Sequence, residues 1–331
     1  MQGIDTTTDF KFHNGIIEDP RPEIKKERDY KHEDIFTAST APVIWEEKSR
    51  FKFFDKRNQA SSLSCMAQSG VKMLGIEQGE FKTLSAKGVY TSRTNVGGGM
   101  YQQECLSLLT KPLAPLESSL PSQNMGEFEI NKSFTMSDKM KSEAEDHRAT
   151  KYVIVSELKN IDKVASIVAQ GKGVQLMMFF TDFEWWRPYP EVIDKTLTPY
   201  VDRALRHGIC VVDYTLWNGK KALVIEDSAG NNSSLFGGGQ RIVTEDFFNE
   251  RCYGIGYLTK DIPDNMIIPT LRKGATGEMV KKLQKKLGGL TVDGVFGNKT
   301  LDAVKKYQKS HGLVVDGIVG KNTATQLNAD L

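Results

Sequence analysis

Apolar and polar positions follow two periods along this chain, and each period marks a different kind of element. Within 64–74, Met66, Ala67, Val71 and Leu74 fall at helical spacing, and Gly75 closes the run, which predicts a helix with one buried face. Further on, Tyr152-Val-Ile-Val155 reads as a strand, 160–170 as a helix and 173–180 as a buried strand. Two more apolar runs, His207-Gly-Ile-Cys-Val-Val-Asp-Tyr214 and Lys221-Ala-Leu-Val-Ile225, read as consecutive strands. The segment 45–55 reads as a strand or extended lead-in, and 114–150, with Pro115 and Pro121, as loop. A helix first and strands later predicts an α+β domain of two lobes with a cleft between them.

The two ends of the chain differ from this middle. Residues 1–44 are polar and rich in Lys, Glu and Asp, with neither period, the composition of a flexible arm. A linker over 263–269, with Pro263 and Pro269, leads into a second pattern over 270–331. There Val280, Leu283 and Leu287, then Leu301, Val304 and Tyr307, recur at helical spacing within 276–287 and 300–310. Asp293-Gly294-Val-Phe-Gly297-Asn-Lys-Thr300 returns as Asp316-Gly317-Ile-Val-Gly320-Lys-Asn-Thr323. Asp-Gly suits a tight turn, the second Gly a positive φ and Thr a helix N-cap, so each unit predicts a turn and then a helix. The chain thus divides into an arm (1–44), an α+β domain (45–262), a linker and a small helical module.

Composition adds bounds. At 331 residues, 39% hydrophobic and 26% charged, the chain can bury two cores. The net charge of +2 hides a split: from Thr270 onward 11 Lys/Arg face 5 Asp/Glu, leaving −4 before it. A basic module of this kind suits an anionic polymer, cell wall or nucleic acid. No apolar run approaches the roughly 18 residues of a membrane span, so no membrane insertion is expected. The start has neither a basic nor an apolar region of a signal peptide, so synthesis in the cytoplasm without one is expected. Cysteines at 65, 105, 210 and 252 form no C-x-x-C pair, and His13, His32, His147 and His311 share no metal-ligand spacing. No phosphate-binding glycine loop and no G-x-S-x-G elbow occurs, and no metal or cofactor is expected.

The candidate chemistry centres on Gln59-Ala-Ser-Ser-Leu-Ser-Cys65. A cysteine at a helix start sits at the positive end of the helix dipole, which favours thiolate. His207 lies 142 residues downstream, and Asp227 follows the next apolar run. A thiol followed roughly 130–150 residues later by its His and a third polar residue is the order of papain-type peptidases. The chain resembles a papain-like cysteine peptidase from about Trp45 to Leu258. The doubled D-G-x-x-G-x-x-T pattern, with Leu271-Arg-Lys-Gly274 ahead of it, resembles a three-helix peptidoglycan-binding domain.

The first resemblance implies a two-lobed papain fold with Cys65 as nucleophile, His207 as its acid–base partner and Asp227, where the family has Asn, orienting the imidazole. It implies that Gln59 and the Cys65 N–H donate to the oxyanion. Gly98 and Gly99 resemble the glycine pair along which substrates lie, and Trp185 and Trp186, near Tyr189, are candidates either to wall the cleft or, equally, to pack in the core. The sequence departs from the family at Leu63 (Gly there), Met66 (Trp there) and Ala229 (Trp there), and Ser62 stands where many relatives have a disulfide cysteine. The two resemblances together imply a hydrolase of peptidoglycan peptide bonds, either a phage lysin carried in the virion tail or a free endolysin. Other tail proteins would then be partners through residues 1–44, and no nucleic acid would be bound. Two alternatives stand beside this: an inactive papain-like scaffold or adhesion protein that binds wall glycan, and a bacterial protease acting on proteins. A scaffold has no need of the intact set Gln59, Cys65, His207 and Asp227.

Overall fold

The computed structural model describes residues 43–78, 81–185, 190–198, 205–229, 240–259 and 271–330. These fall in two compact units, 43–259 and 271–330.

The first unit opens with five helices: α1 (Cys65–Ile76), α2 (Lys87–Thr91), α3 (Gln102–Leu108), α4 (Glu127–Ile130) and α5 (Asp138–His147). Every residue of α1 is buried, polar ones included. A helix buried all round sits at the centre of its domain, and its polar groups need partners there. Gln68 accepts from Arg57 Nε at 2.7 Å and donates to the Ser122 carbonyl at 3.0 Å. Lys72 donates to the Phe54 carbonyl at 3.0 Å, to the Asp55 carbonyl and to Glu226. The expected loop over 114–150 holds α4 and α5. α5 has one buried residue, Ala144, and so shows no apolar stripe. It is held by a Ser137 cap on the Met140 N–H at 3.3 Å and by exposed ion pairs such as Lys141–Asp138, at 3.0 Å.

The second half of the unit is a seven-stranded sheet. It contains β1 (Lys151–Val155), β2 (Val174–Phe180), β3 (Val192–Ile193), β4 (Leu205–Trp217), β5 (Lys220–Glu226), β6 (Gln240–Thr244) and β7 (Cys252–Thr259). Their order is β1-β7-β2-β4-β5-β6-β3. All neighbours are antiparallel except β3 and β6. Asn218 and Gly219, with φ of 50° and 73°, turn β4 directly into β5. This is the Asn-Gly hairpin signal, and it fixes the register that pairs Cys210 with Glu226. Asp227, one residue past β5, therefore lies near the start of β4, where His207 stands. Three helices punctuate the sheet: α6 (Ile161–Ala169), α7 (Asp182–Trp185) and α8 (Glu245–Arg251). Residues 45–55 form no strand. They run extended beside β4, held by a bridge from Glu47 to Leu216 and by Asp213, which accepts from Lys48 Nζ at 2.7 Å and the Lys52 N–H at 2.9 Å.

The second unit consists of α9 (Glu278–Leu287), α10 (Asn298–Ser310) and α11 (Lys321–Ala329) around a core that includes Leu271, Val280, Leu283, Phe296, Val304, Val319 and Leu327. The repeated motif works differently from the sequence expectation. Gly297 and Gly320, not the threonines, are the N-caps of α10 and α11, with φ of −88° and −85°. The positive φ belongs to Gly294 and Gly317, at 75° and 76°. Each motif instead encloses a buried glutamine of the preceding helix. Gln284 Nε2 donates to Asp293 (2.8 Å), the Val295 carbonyl (3.1 Å) and Thr300 (3.2 Å), and its Oε1 accepts the Gly294 N–H (2.9 Å). Gln308 repeats this with Asp316 (2.9 Å), Ile318 (2.9 Å), Thr323 (3.1 Å) and the Gly317 N–H (2.9 Å). The threonines accept from a buried amide rather than capping a helix. Among the described residues, no helix is long and apolar enough to cross a membrane.

Candidate active site

Cys65 is the first residue of α1, with Ser64 as N-cap, so its thiol stands at the positive end of a twelve-residue helix. The Ser64 side chain makes no cap bond; its Oγ meets Ser62 Oγ at 2.7 Å. His207 comes from β4, and α1 packs against that strand. Gly208 permits the close approach: a Cβ there would lie 2.4 Å from Met66 Sδ and 3.3 Å from Met66 Cα. Met66, one of the departures, is thus fully buried at the helix–strand contact. Gly208→Ala is expected to cost about 1–3 kcal/mol by overpacking. It should also lower kcat for peptide cleavage more than it alters KM, because it moves His207 relative to Cys65; urea melts and steady-state rates read the two effects.

Through Nε2 the His207 ring meets Asp227 Oδ1 at 2.7 Å, and the Cys65 thiol acts on the ring electrostatically. All three residues are buried, Cys65 and His207 with no exposed surface. Burial works against charge on the ring, but the Asp227 carboxylate outweighs it, helped by the thiol, and His207 is pushed up to about 10. Burial would likewise raise Asp227, yet His207 and then Arg241 hold it well below the usual carboxylate range. Burial pushes the thiols of Cys105 and Cys252 up to about 12 and raises Cys210 as well.

These shifts fix a pH dependence of stability. The raised His207 contributes stability that is complete below its unfolded value near 6.5 and is lost as pH rises toward about 10. The depressed Asp227 contributes stability that is present above about 3.9 and is lost as pH falls below it. The pair is therefore expected to stabilise most between about pH 4 and 6.5. Thermal melts of the wild type should fall more steeply from pH 6.5 to 10 than those of His207→Gln; parallel curves would contradict the pair.

Asp227 is held on every side. Its Oδ1 also accepts the Ala229 N–H at 2.9 Å, and its Oδ2 accepts Trp185 Nε1 at 2.9 Å and Arg241 Nη1 at 3.0 Å. Arg241 donates further to the Trp185 carbonyl and, through Nε, to the Pro190 carbonyl, both at 2.9 Å, and its guanidinium lies 4.4 Å from the Trp185 ring centroid. Trp185 stands edge-on to His207 at 6.0 Å, and Phe180 does the same at 6.2 Å. Of the two readings for Trp185, cleft wall or core, the structure has the second: it is fully buried and donates to Asp227. An indole there keeps water from the pair and donates to it, so the departure at Ala229 does not leave the hydrogen bond bare. Trp186 and Tyr189 lie outside the described residues.

Gln59 is buried. Its Nε2 donates to the Ser62 carbonyl at 2.8 Å and its Oε1 accepts from Ser228 Oγ at 2.7 Å, while its N–H meets the Ser228 carbonyl at 2.8 Å. The residue beside Asp227 thus fixes the amide ahead of Cys65, and an amide nitrogen has a second N–H to offer. Lys72 on α1 reaches Glu226, which ties the cysteine helix to the end of β5. Gly98 is half-buried and Gly99 buried, in a turn whose carbonyls accept from Arg93 Nε (2.7 Å) and Asn95 Nδ2 (3.1 Å). Sequence reasoning missed Arg241, Ser228 and Gly208. Arg241 had a signal, a lone charge in the apolar run Gln240-Arg-Ile-Val-Thr244. Gly208 had none without its partner helix.

Residues 276–327 match the model of a family described as a putative peptidoglycan binding domain. No curated protein sequence matches the chain. Among solved structures, the chain is similar to xylellain, a cysteine protease from Xylella fastidiosa, with a TM-score of 0.57 and 16% identity over 75% of this chain and 96% of that one. It is also similar to a digestive procathepsin L2 proteinase from the larval midgut of Tenebrio molitor, with a TM-score of 0.56 and 14% identity over 77% of this chain and 81% of that one. A structure addressing the mite allergens Blo t 1 and Der p 1 gives a TM-score of 0.52 and 16% identity, over 77% and 82%. At these identities the likeness is one of fold: the chain has the α+β fold of papain-like cysteine proteases, followed by a three-helix domain that matches the peptidoglycan-binding family.

Proposed function

We propose that the chain is a thiol peptidase over 45–262 that a module over 270–331 holds on peptidoglycan, and that it cuts peptide (amide) bonds of the wall. The observation that carries this reading is the line from Asp227 through His207 to Cys65 at the start of α1. In the reaction, the Cys65 thiolate adds to the carbonyl carbon of the peptide bond, and the oxyanion is met by the Cys65 N–H and the second N–H of Gln59. His207, charged and oriented by Asp227, gives its proton to the leaving amine as the C–N bond breaks. Water, deprotonated by His207, then hydrolyses the thioester and frees Cys65. Asp227 stays ionised throughout, because Arg241 and the peptide N–H of Ala229 stabilise its charge. Such a pairing suits a wall-degrading lysin.

One observation favours a second reading, a wall-binding structural protein: Cys65 has no exposed surface. In that case the wall would be bound and left uncut. The module has its own core, so the chain can be divided near Asp264 to test the division of labour. Residues 270–331 should sediment with purified peptidoglycan, less so as salt is added, since the +6 charge acts through screened attraction. The catalytic part alone should still cut soluble muropeptides while losing much of its activity on whole walls, because tethering raises local concentration. Equal activity of whole and truncated protein on walls would remove the targeting role.

A further inference from the structure

One ion pair holds two loops, the one that runs into Cys65 and the turn that carries Gly98 and Gly99. The loop over 59–64 leads into α1, and its Leu63 N–H, two residues before Cys65, donates to Glu127 Oε2 at 2.8 Å. The turn over 95–99 carries Gly98 and Gly99. Its Val96 and Gly98 carbonyls accept from Arg93 Nη2 at 3.0 Å and Nε at 2.7 Å. Arg93 then closes the circuit, with Nη2 on Glu127 Oε1 at 3.2 Å.

The arrangement is a built one. Arg93 has five N–H groups, and the other two go to the Tyr90 carbonyl (2.5 Å) and Asn131 Oδ1 (3.0 Å), so every donor is used. Its guanidinium also lies 3.5 Å from the Tyr90 ring centroid. Glu127 accepts in addition from the Tyr90 hydroxyl at 2.8 Å and Asn131 Nδ2 at 2.8 Å. The Arg93 side chain is 1% exposed and that of Glu127 34%, so the pair runs from the interior to the surface. All four cysteines are free thiols, so no disulfide links these loops. A fully satisfied guanidinium fork is rigid in a way that a lysine is not.

We infer that Arg93 and Glu127 form a clamp that fixes the spacing of the nucleophile loop and the glycine turn, and so sets the peptide groove beside Cys65. Both are positioning residues, and the inference rests on the proposed peptidase reading. The clamp governs how an extended peptide is held and leaves the Cys65–His207 pair untouched, since neither residue contacts that pair.

The test uses the full-length chain with Glu127→Gln and, as a second variant, Arg93→Lys, which keeps the charge but loses the fork. Soluble muropeptides from purified walls serve as substrate, iodoacetamide as a small probe of Cys65, and hydrogen exchange reads the loops. KM should rise about tenfold while kcat and the rate of Cys65 alkylation stay within about twofold. Exchange protection should fall together in peptides covering 59–64 and 95–99. Unchanged KM in folded variants, or kcat and alkylation falling in step with KM, would overturn the clamp, as would loosening of one loop alone. Absence of wild-type cleavage would instead sink the peptidase reading, and the exchange result would still decide whether the two loops are coupled.

Discussion

Replacing His207 with alanine is expected to lower peptide cleavage by about a thousandfold or more while leaving the domain folded. The catalytic loss follows from its two tasks, holding a proton beside the thiol and delivering it to the leaving amine. The survival of the fold follows from the charges around Asp227. Removing one partner of a buried ion pair normally strands the other, but here Arg241 Nη1 remains 3.0 Å from Asp227 Oδ2, and Trp185 and Ala229 still donate to it. The carboxylate keeps a cation and two hydrogen bonds. Rates on soluble muropeptides and a thermal melt on the same preparation separate the two effects. Loss of fold and activity together would mean that His207 is mainly a structural residue.

Arg241→Met should behave in the opposite way. It is expected to destabilise the first unit by about 3–5 kcal/mol, the range for breaking a buried ion pair from one side. Asp227 would lose the cation on its far oxygen, and the carbonyls of Trp185 and Pro190 would lose their donor in the interior. Arg241 also has a chemical consequence. The papain-like order resembled here has a neutral Asn where this chain has Asp227, and a bare carboxylate would hold the imidazolium proton more strongly. A guanidinium on the far oxygen draws off part of that charge. Urea unfolding checks the stability change, and an unchanged midpoint would contradict the assignment of Arg241 as the counter-ion.

Much of this was legible in the sequence because the elements concerned are long and apolar. The buried helix from Cys65 and the apolar runs around His207 and before Asp227 stand out by period, and the Asn218-Gly219 turn carries its own hairpin signal. The helices over 127–130 and 138–147 were hidden because they bury one residue each and rest on caps and ion pairs. Trp185 is left open by the sequence for a different reason. An indole near a Pro-rich segment reads equally as cleft or core, and only the fold brings it to Asp227, 42 residues away in sequence. The threonines of the repeated motif look like caps in isolation, and their true partners, Gln284 and Gln308, sit on the preceding helices. Such partners are chosen by packing, which local pattern does not encode.

The central claim, that Cys65 cuts wall peptides with the help of His207 and Asp227, is tested most directly by fragment analysis. Purified walls are incubated with the wild type and with Cys65→Ala, and the released material is identified by mass spectrometry. The account predicts new free amino and carboxyl termini within the peptide stems for the wild type and none for Cys65→Ala, with both proteins bound to the wall. Identical fragments from both, or none from either despite binding, would contradict it.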